Sequence, residues 1–148
     1  MRKFSKSLSY AIKGLFEVFK TQRNFKIQTV FALIALTLSF ILNLEESQIL
    51  WISLSITMVL ILETINTLVE KIMDLIHPQY NPIVGVIKDL GAAAVLIAAT
   101  FSIVVAVVIF GGKIFNWPPK YGIIIGIAFI IFIIFGSVYT KGGDKCDR

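Results

Sequence analysis

The sequence predicts an all-α integral membrane protein: an N-terminal amphipathic surface helix followed by four transmembrane helices. Three observations carry this reading. Of the 148 residues, 57% are hydrophobic and only 16% are charged, where a soluble domain carries about 25% charge. Four apolar runs, at about 27–42, 48–76, 83–110 and 121–139, divide the chain, and a bilayer asks for about 20 residues of helix per span. The third observation is charge placement. Twelve of the fourteen Lys and Arg lie up to Lys26, from Lys71 to Lys88, or after Tyr139, and only Lys113 and Lys120 fall opposite. By the positive-inside rule both termini and the central loop are cytoplasmic. The net charge of +5 is thus explained by topology, and nucleic acid is not expected as a partner. No internal repeat or low-complexity linker appears, so residues 1–148 read as a single membrane domain.

In residues 1–26, Phe4, Leu8, Ala11, Ile12, Leu15, Phe16 and Phe19 recur at helical spacing, with Lys6, Lys13, Glu17 and Lys20 between them. This pattern predicts a helix lying on the cytoplasmic surface, lysines toward anionic head groups. The segment lacks an uninterrupted apolar core and a small-residue cleavage site, so no cleavable signal is expected. Gln22, Arg23, Asn24 and Lys26 form a polar collar before the first span.

Residues 43–47 make a short outer turn, acidic at Glu45 and Glu46, and Ser47 reads as the N-cap of the second span. Trp51 belongs at the outer interface. The second helix runs to about Ile76, so its last two turns stand in the cytoplasm, and Pro78 and Pro82 enforce the turn that follows. His77, the one histidine, reads as loop. The third helix begins around Ile83 and carries Lys88 and Asp89 just ahead of an uncharged run. Gly91, Ala92, Ala93 and Ala94 open that run with small residues suited to close helix contact. Residues 111–119 form the second outer loop, anchored by Trp117. The fourth span holds Gly122 and Gly126 in GxxxG spacing, and the tail from Lys141 is polar.

The chemistry concentrates at the end of the second span. At 100° per residue Glu63, Asn66, Glu70 and Asp74 fall within an arc of roughly 80° on one helix face. The run 49–62 before them is free of charge, which puts Glu63 and Asn66 at the membrane edge and Glu70 and Asp74 just outside. Carboxylates are costly at that depth and mark a site. The short loop to the third helix makes it an antiparallel neighbour, with Lys88 and Asp89 at the same level. Other chemistries are excluded by what is missing: no GxxxxGK[ST] loop, no kinase-type Gly-rich loop, no GxSxG elbow. One cysteine (Cys146) and one histidine exclude an internal disulfide and Cys/His metal clusters. Carboxylates suit Mg²⁺, which keeps substrate phosphates as co-ligands. A lysine beside them suits nucleotide phosphates, and a carboxylate nearer the lipid suits deprotonation of a membrane alcohol. The combination fits phosphoryl transfer.

Glu63-x-x-Asn66-x-x-x-Glu70 with Asp74, then Tyr80, then Lys88-Asp89-x-Gly91-x-Ala93-Ala94-Val95-Leu96, resembles the small bacterial diacylglycerol kinase and undecaprenol kinase family. The resemblance covers roughly residues 3–110, starting from Tyr10-x-x-Lys13-Gly14, and implies a three-helix core to which the fourth span is additional. It implies an ATP- and Mg²⁺-dependent lipid kinase of the bacterial inner membrane, acting on diacylglycerol or undecaprenol. By resemblance Glu63 is the catalytic base, with Asn66 supporting the centre, and Glu70 is a metal ligand. Tyr10, Gln79, Tyr80, Asn81, Lys88 and Asp89 match positions lining the nucleotide site. The family pattern has a glutamate where this chain has Gln22, a weaker Mg²⁺ ligand. The family forms homotrimers with active sites shared between protomers. The Glu63–Lys71 block and Pro78-x-Tyr80-x-Pro82 look closer to the undecaprenol kinase branch. Two other readings compete: a small proton-coupled transporter using Glu63 as a relay, and a non-catalytic family member. A relay needs carboxylates toward the midplane, and these sit at one end.

Overall fold

The computed structural model describes residues 2–79 and 81–143, with side chains over 4–136 outside position 80. Five helices follow one another: α1 (Arg2–Thr21), α2 (Arg23–Ile41), α3 (Glu46–Ile76), α4 (Pro82–Phe115) and α5 (Lys120–Gly143). Among the described residues there is no strand. Three helices, α2, α3 and α4, are long and apolar enough to cross a membrane, while the apolar part of α5, Lys120–Gly136, is shorter. The chain forms two compact units, Met1–Ala99 and Thr100–Arg148.

In the first unit the expected polar collar shrinks to one residue. Gln22 is extended (φ −96°, ψ 116°) and its side chain does not cap α2. On either side the helix is continuous, closed by Gln22 N–H on Val18 O at 2.8 Å. On α1 only Val18 among the described apolar residues is buried; Phe4, Leu8, Ile12, Leu15, Phe16 and Phe19 are exposed. Open apolar side chains on an amphipathic helix are stable where lipid covers them.

The α2–α3 hairpin is seamed at heptad spacing. Phe25, Ala32 and Ser39 are buried on α2, and Ile52, Ser55, Val59, Glu63, Asn66 and Thr67 on α3. Small side chains in the seam let the backbones approach. Ser47 is not the N-cap of α3; Glu45 is, in a capping box with Gln48, whose Oε1 accepts the Glu45 N–H at 3.1 Å. A carboxylate there meets the positive end of the helix dipole, which a serine hydroxyl does less strongly. Asn43 (φ 49°) supplies the left-handed residue of the turn.

α3 ends where the prolines predict, with His77 N–H on Met73 O at 2.9 Å. Asn81 Oδ1 accepts the Ile83 N–H at 2.9 Å, and Pro82 takes the first helical position, where its missing N–H costs nothing.

In the second unit α4 continues five residues past the expected end at 110. Gly111 and Gly112 stay helical, and the Gly111 carbonyl accepts the Trp117 N–H at 3.1 Å. A β-carbon on Gly111 would lie 2.8 Å from the Trp117 ring, so glycine is what lets the indole fold back. Trp117 stacks on Phe115 at 5.0 Å and meets Tyr121 edge-on at 5.6 Å. Only one glycine of the GxxxG pair makes a close contact: a β-carbon on Gly122 would collide with Val108, whereas Gly126 has nothing within 4 Å.

Candidate functional site

Glu63 lies on α3 after a charge-free run and is only 3% exposed. A carboxylate removed from water needs hydrogen-bond donors, and Gln28 of α2 supplies one, Nε2 donating to Glu63 Oε2 at 3.2 Å. One turn on, Thr67 is fully buried and its hydroxyl donates to the Glu63 carbonyl at 2.9 Å. This bond leaves Thr67 with no free hydroxyl to compete for the carboxylate.

Asn66, also buried, donates from Nδ2 to Glu70 Oε1 at 3.1 Å. Its Oδ1 is buried without a hydrogen-bond partner and lies against Gly91 of α4, where any β-carbon would collide with it. The predicted small-residue stretch therefore acts at Gly91, by letting α4 approach the amide.

Near the α3–α4 connection Lys88 Nζ donates to Asp74 Oδ1, tying α4 to α3. Lys71 pairs with Glu17 of α1 at 3.1 Å. Lys71–Glu17 is half-exposed on both sides, whereas Lys88 is more covered than its partner Asp74; exposed pairs contribute about 0–1 kcal/mol each.

The residues expected at the catalytic and nucleotide sites fall into two groups. Glu63, Asn66 and Glu70 share one face of α3, and Lys88 reaches that helix through Asp74. Tyr10, Gln79 and Asp89 are exposed, Gln22 is half-buried at the α1–α2 break, and Asn81 caps α4 through its side chain. Tyr80 and Cys146 lie outside the described residues.

Among the described residues no three acidic, His or Cys side chains group to hold a metal ion. Mg²⁺ is usually held by one or two carboxylates plus substrate phosphates. Glu70 fits this role: Asn66 engages Oε1 and so orients the carboxylate.

Gln28 was not among the expected site residues. A lone amide at the start of the first span was its only signal in the sequence. A second feature also needed the fold: an apolar groove of about 360 Å³ lined by Leu15, Phe16 and Phe19 of α1, Phe25 and Thr29 of α2, and Leu60 of α3. Thr29 adjoins Gln28, and Leu60 precedes Glu63 by three residues. Two of the three helices that line the groove, α2 and α3, also carry the Gln28–Glu63 pair.

Residues 9–110 match the family described as prokaryotic diacylglycerol kinase. A diacylglycerol kinase of Synechocystis is 35% identical over 120 residues, which is 80% of this chain and 65% of that protein. The undecaprenol kinase of Bacillus subtilis is 32% identical over 114 residues, 77% of this chain and 93% of the relative. The diacylglycerol kinase of Escherichia coli K12 is 35% identical over 104 residues, 70% and 81%. The chain thus spans just under two thirds of the Synechocystis protein. The family match ends within α4 and leaves α5 outside it.

Proposed function

The chain belongs to the prokaryotic diacylglycerol kinase family, a family of lipid kinases, and on that premise we propose that it transfers the γ-phosphoryl group of ATP to a membrane lipid alcohol. The observation that carries this reading is Glu63. It is a buried carboxylate at the end of an apolar run, hydrogen-bonded to Gln28 and on the same face of α3 as Asn66 and Glu70.

The division of labour follows from depth. Glu63, the carboxylate nearest the apolar run, accepts the proton of the lipid hydroxyl as its oxygen attacks the γ-phosphorus. The bond from that phosphorus to the β-bridging oxygen breaks, and ADP leaves. Asn66 links the two carboxylate positions, donating to Glu70 and packing on Gly91, so the face keeps its geometry. Glu70 would hold Mg²⁺, with the Gln22 amide a weaker ligand, and the bound metal supplies charge neutralisation on the phosphates. Lys88, released from Asp74, pairs with a phosphate oxygen, and Asp89, Tyr10, Gln79, Tyr80 and Asn81 line the nucleotide side. The apolar groove offers the acceptor's chain a path toward Glu63 without leaving lipid.

The same reading puts both termini and the α3–α4 connection on the cytoplasmic side of a bacterial inner membrane, as the lysine and arginine distribution supports. It also takes the working form to be a homotrimer with sites shared between protomers, as the family resemblance implies. Diacylglycerol and undecaprenol are both acceptors of the right chemistry, and relatives named for each are similar to this chain. The test is ATP-dependent phosphorylation of each lipid by the purified full chain in mixed micelles. Transfer to one of them supports the reading, and inertness toward both in saturating Mg²⁺ overturns it in favour of a non-catalytic member.

A further inference from the structure

Gln28 is the polar side chain of α2 that reaches Glu63, and its amide is used at one end only. Nε2 donates to Glu63 Oε2 at 3.2 Å, while Oε1 is buried and takes no hydrogen bond. Among the described residues the Glu63 contact is thus the one hydrogen bond that orients this amide.

We propose that Gln28 is a positioning residue for Glu63 whose amide serves both protonation states of that carboxyl group: Nε2 donates to the carboxylate, and Oε1 accepts from the carboxylic acid. The inference rests on the reading of Glu63 as the base.

The chemistry follows from the donor inventory. An ionised carboxylate only accepts, so it draws the N–H end of the amide, and the opposite orientation would set oxygen against oxygen. When the lipid hydroxyl yields its proton, Glu63 becomes a carboxylic acid with one O–H to donate. No atom is gained or lost by the pair beyond that proton, which leaves again once the phospholipid and ADP have gone. Turning the amide by half a rotation about its last torsion presents Oε1 to the new O–H. That torsion is broad and roughly two-fold, and because Oε1 has no partner, the turn breaks no bond except the one being exchanged.

The position makes this useful. Glu63 is 3% exposed, so water is a poor substitute for a partner in either state. A lysine here would hold the carboxylate but oppose its protonation, and an aliphatic residue would hold neither form. A neutral side chain with a donor at one end and an acceptor at the other can hold both.

The experiment compares Gln28→Met, Gln28→His and Glu63→Gln in the full-length protein, in micelles containing the lipid acceptor that the wild type phosphorylates. Methionine keeps the length and apolar fit and removes both functions; a neutral imidazole restores a donor and an acceptor. The expected result is a kcat about 10- to 100-fold lower in Gln28→Met, with KM for ATP and for lipid within about threefold of wild type, the scatter such constants show when binding is untouched. Gln28→His should recover a clear part of that loss. In the Glu63→Gln background, adding Gln28→Met should lower the residual rate no further, because the partner it serves is gone. Thermal unfolding of each variant separates loss of folding from loss of rate. A Gln28→Met enzyme with wild-type kcat overturns the proposal. So does equal loss in the methionine and histidine variants accompanied by a lowered Tm, which is what a packing contact gives. Full activity in Glu63→Gln instead removes the base itself, a distinct outcome.

Discussion

Asn66 and Gly91 meet across α3 and α4 with no room for a β-carbon between them. The contact joins the helix that carries the carboxylates to the helix that carries Lys88 and Asp89. It also encloses Asn66 Oδ1, which has no hydrogen bond there.

Gly91→Ala is expected to destabilise the protein by about 1–3 kcal/mol, the usual cost of overpacking, and to reduce lipid phosphorylation by pushing Asn66 off Glu70. Thermal unfolding reads the first effect. Combining Gly91→Ala with Asn66→Ala should restore stability, because the clashing amide is gone, and should leave activity low. If the double variant is as active as wild type, Asn66 does not support the centre.

Glu63→Gln keeps the length and shape of the side chain and removes proton acceptance. Loss of a general base costs about 10²–10⁴ in rate. Turnover should fall by that amount while a fluorescent ATP analogue still binds with wild-type affinity, since Glu63 adjoins the charge-free run of α3 and Glu70 stands two turns further on. Near-normal phosphorylation would locate the base elsewhere.

Mg²⁺ dependence distinguishes the two positions expected to hold the metal. Gln22→Glu adds a carboxylate and should lower the half-saturating Mg²⁺ concentration. Glu70→Gln should abolish activity whatever stands at position 22. An unchanged Mg²⁺ requirement in Gln22→Glu would show that residue 22 does not face the metal in the assembled enzyme.

Topology is accessible through the single cysteine. The proposed topology, with both termini cytoplasmic, predicts that Cys146 in intact cells resists a membrane-impermeant thiol reagent and reacts after permeabilisation. Labelling of intact cells would require an odd number of spans, and α5, whose described apolar part is the shortest, would be the helix to reassign.

The sequence alone determined the features that depend on residues within a helical turn or two of one another. The end of α3 at Ile76 follows from Pro78 and Pro82, and the shared face of Glu63, Asn66 and Glu70 from the 100° step of the backbone. The broad division into spans follows from where charge is absent, because burying a charge in lipid is expensive wherever it occurs. Even local rules had limits. The cap of α3 moved from Ser47 to Glu45 because a carboxylate with Gln48 competes better for the same N–H groups, and α4 ran past Gly111 because Trp117 folded back on it. What only the tertiary structure decided are the pairings between distant positions. Gln28 and Glu63 are 35 residues apart, and nothing in the period of either helix says which faces meet. Val18 rather than Phe16 is the residue buried on α1, and Lys88 is held by Asp74, for the same reason. Backbone hydrogen bonds set a helix's period within four residues, whereas the choice of which faces touch is made by shape, at positions such as Gly91 where a missing β-carbon lets two helices close.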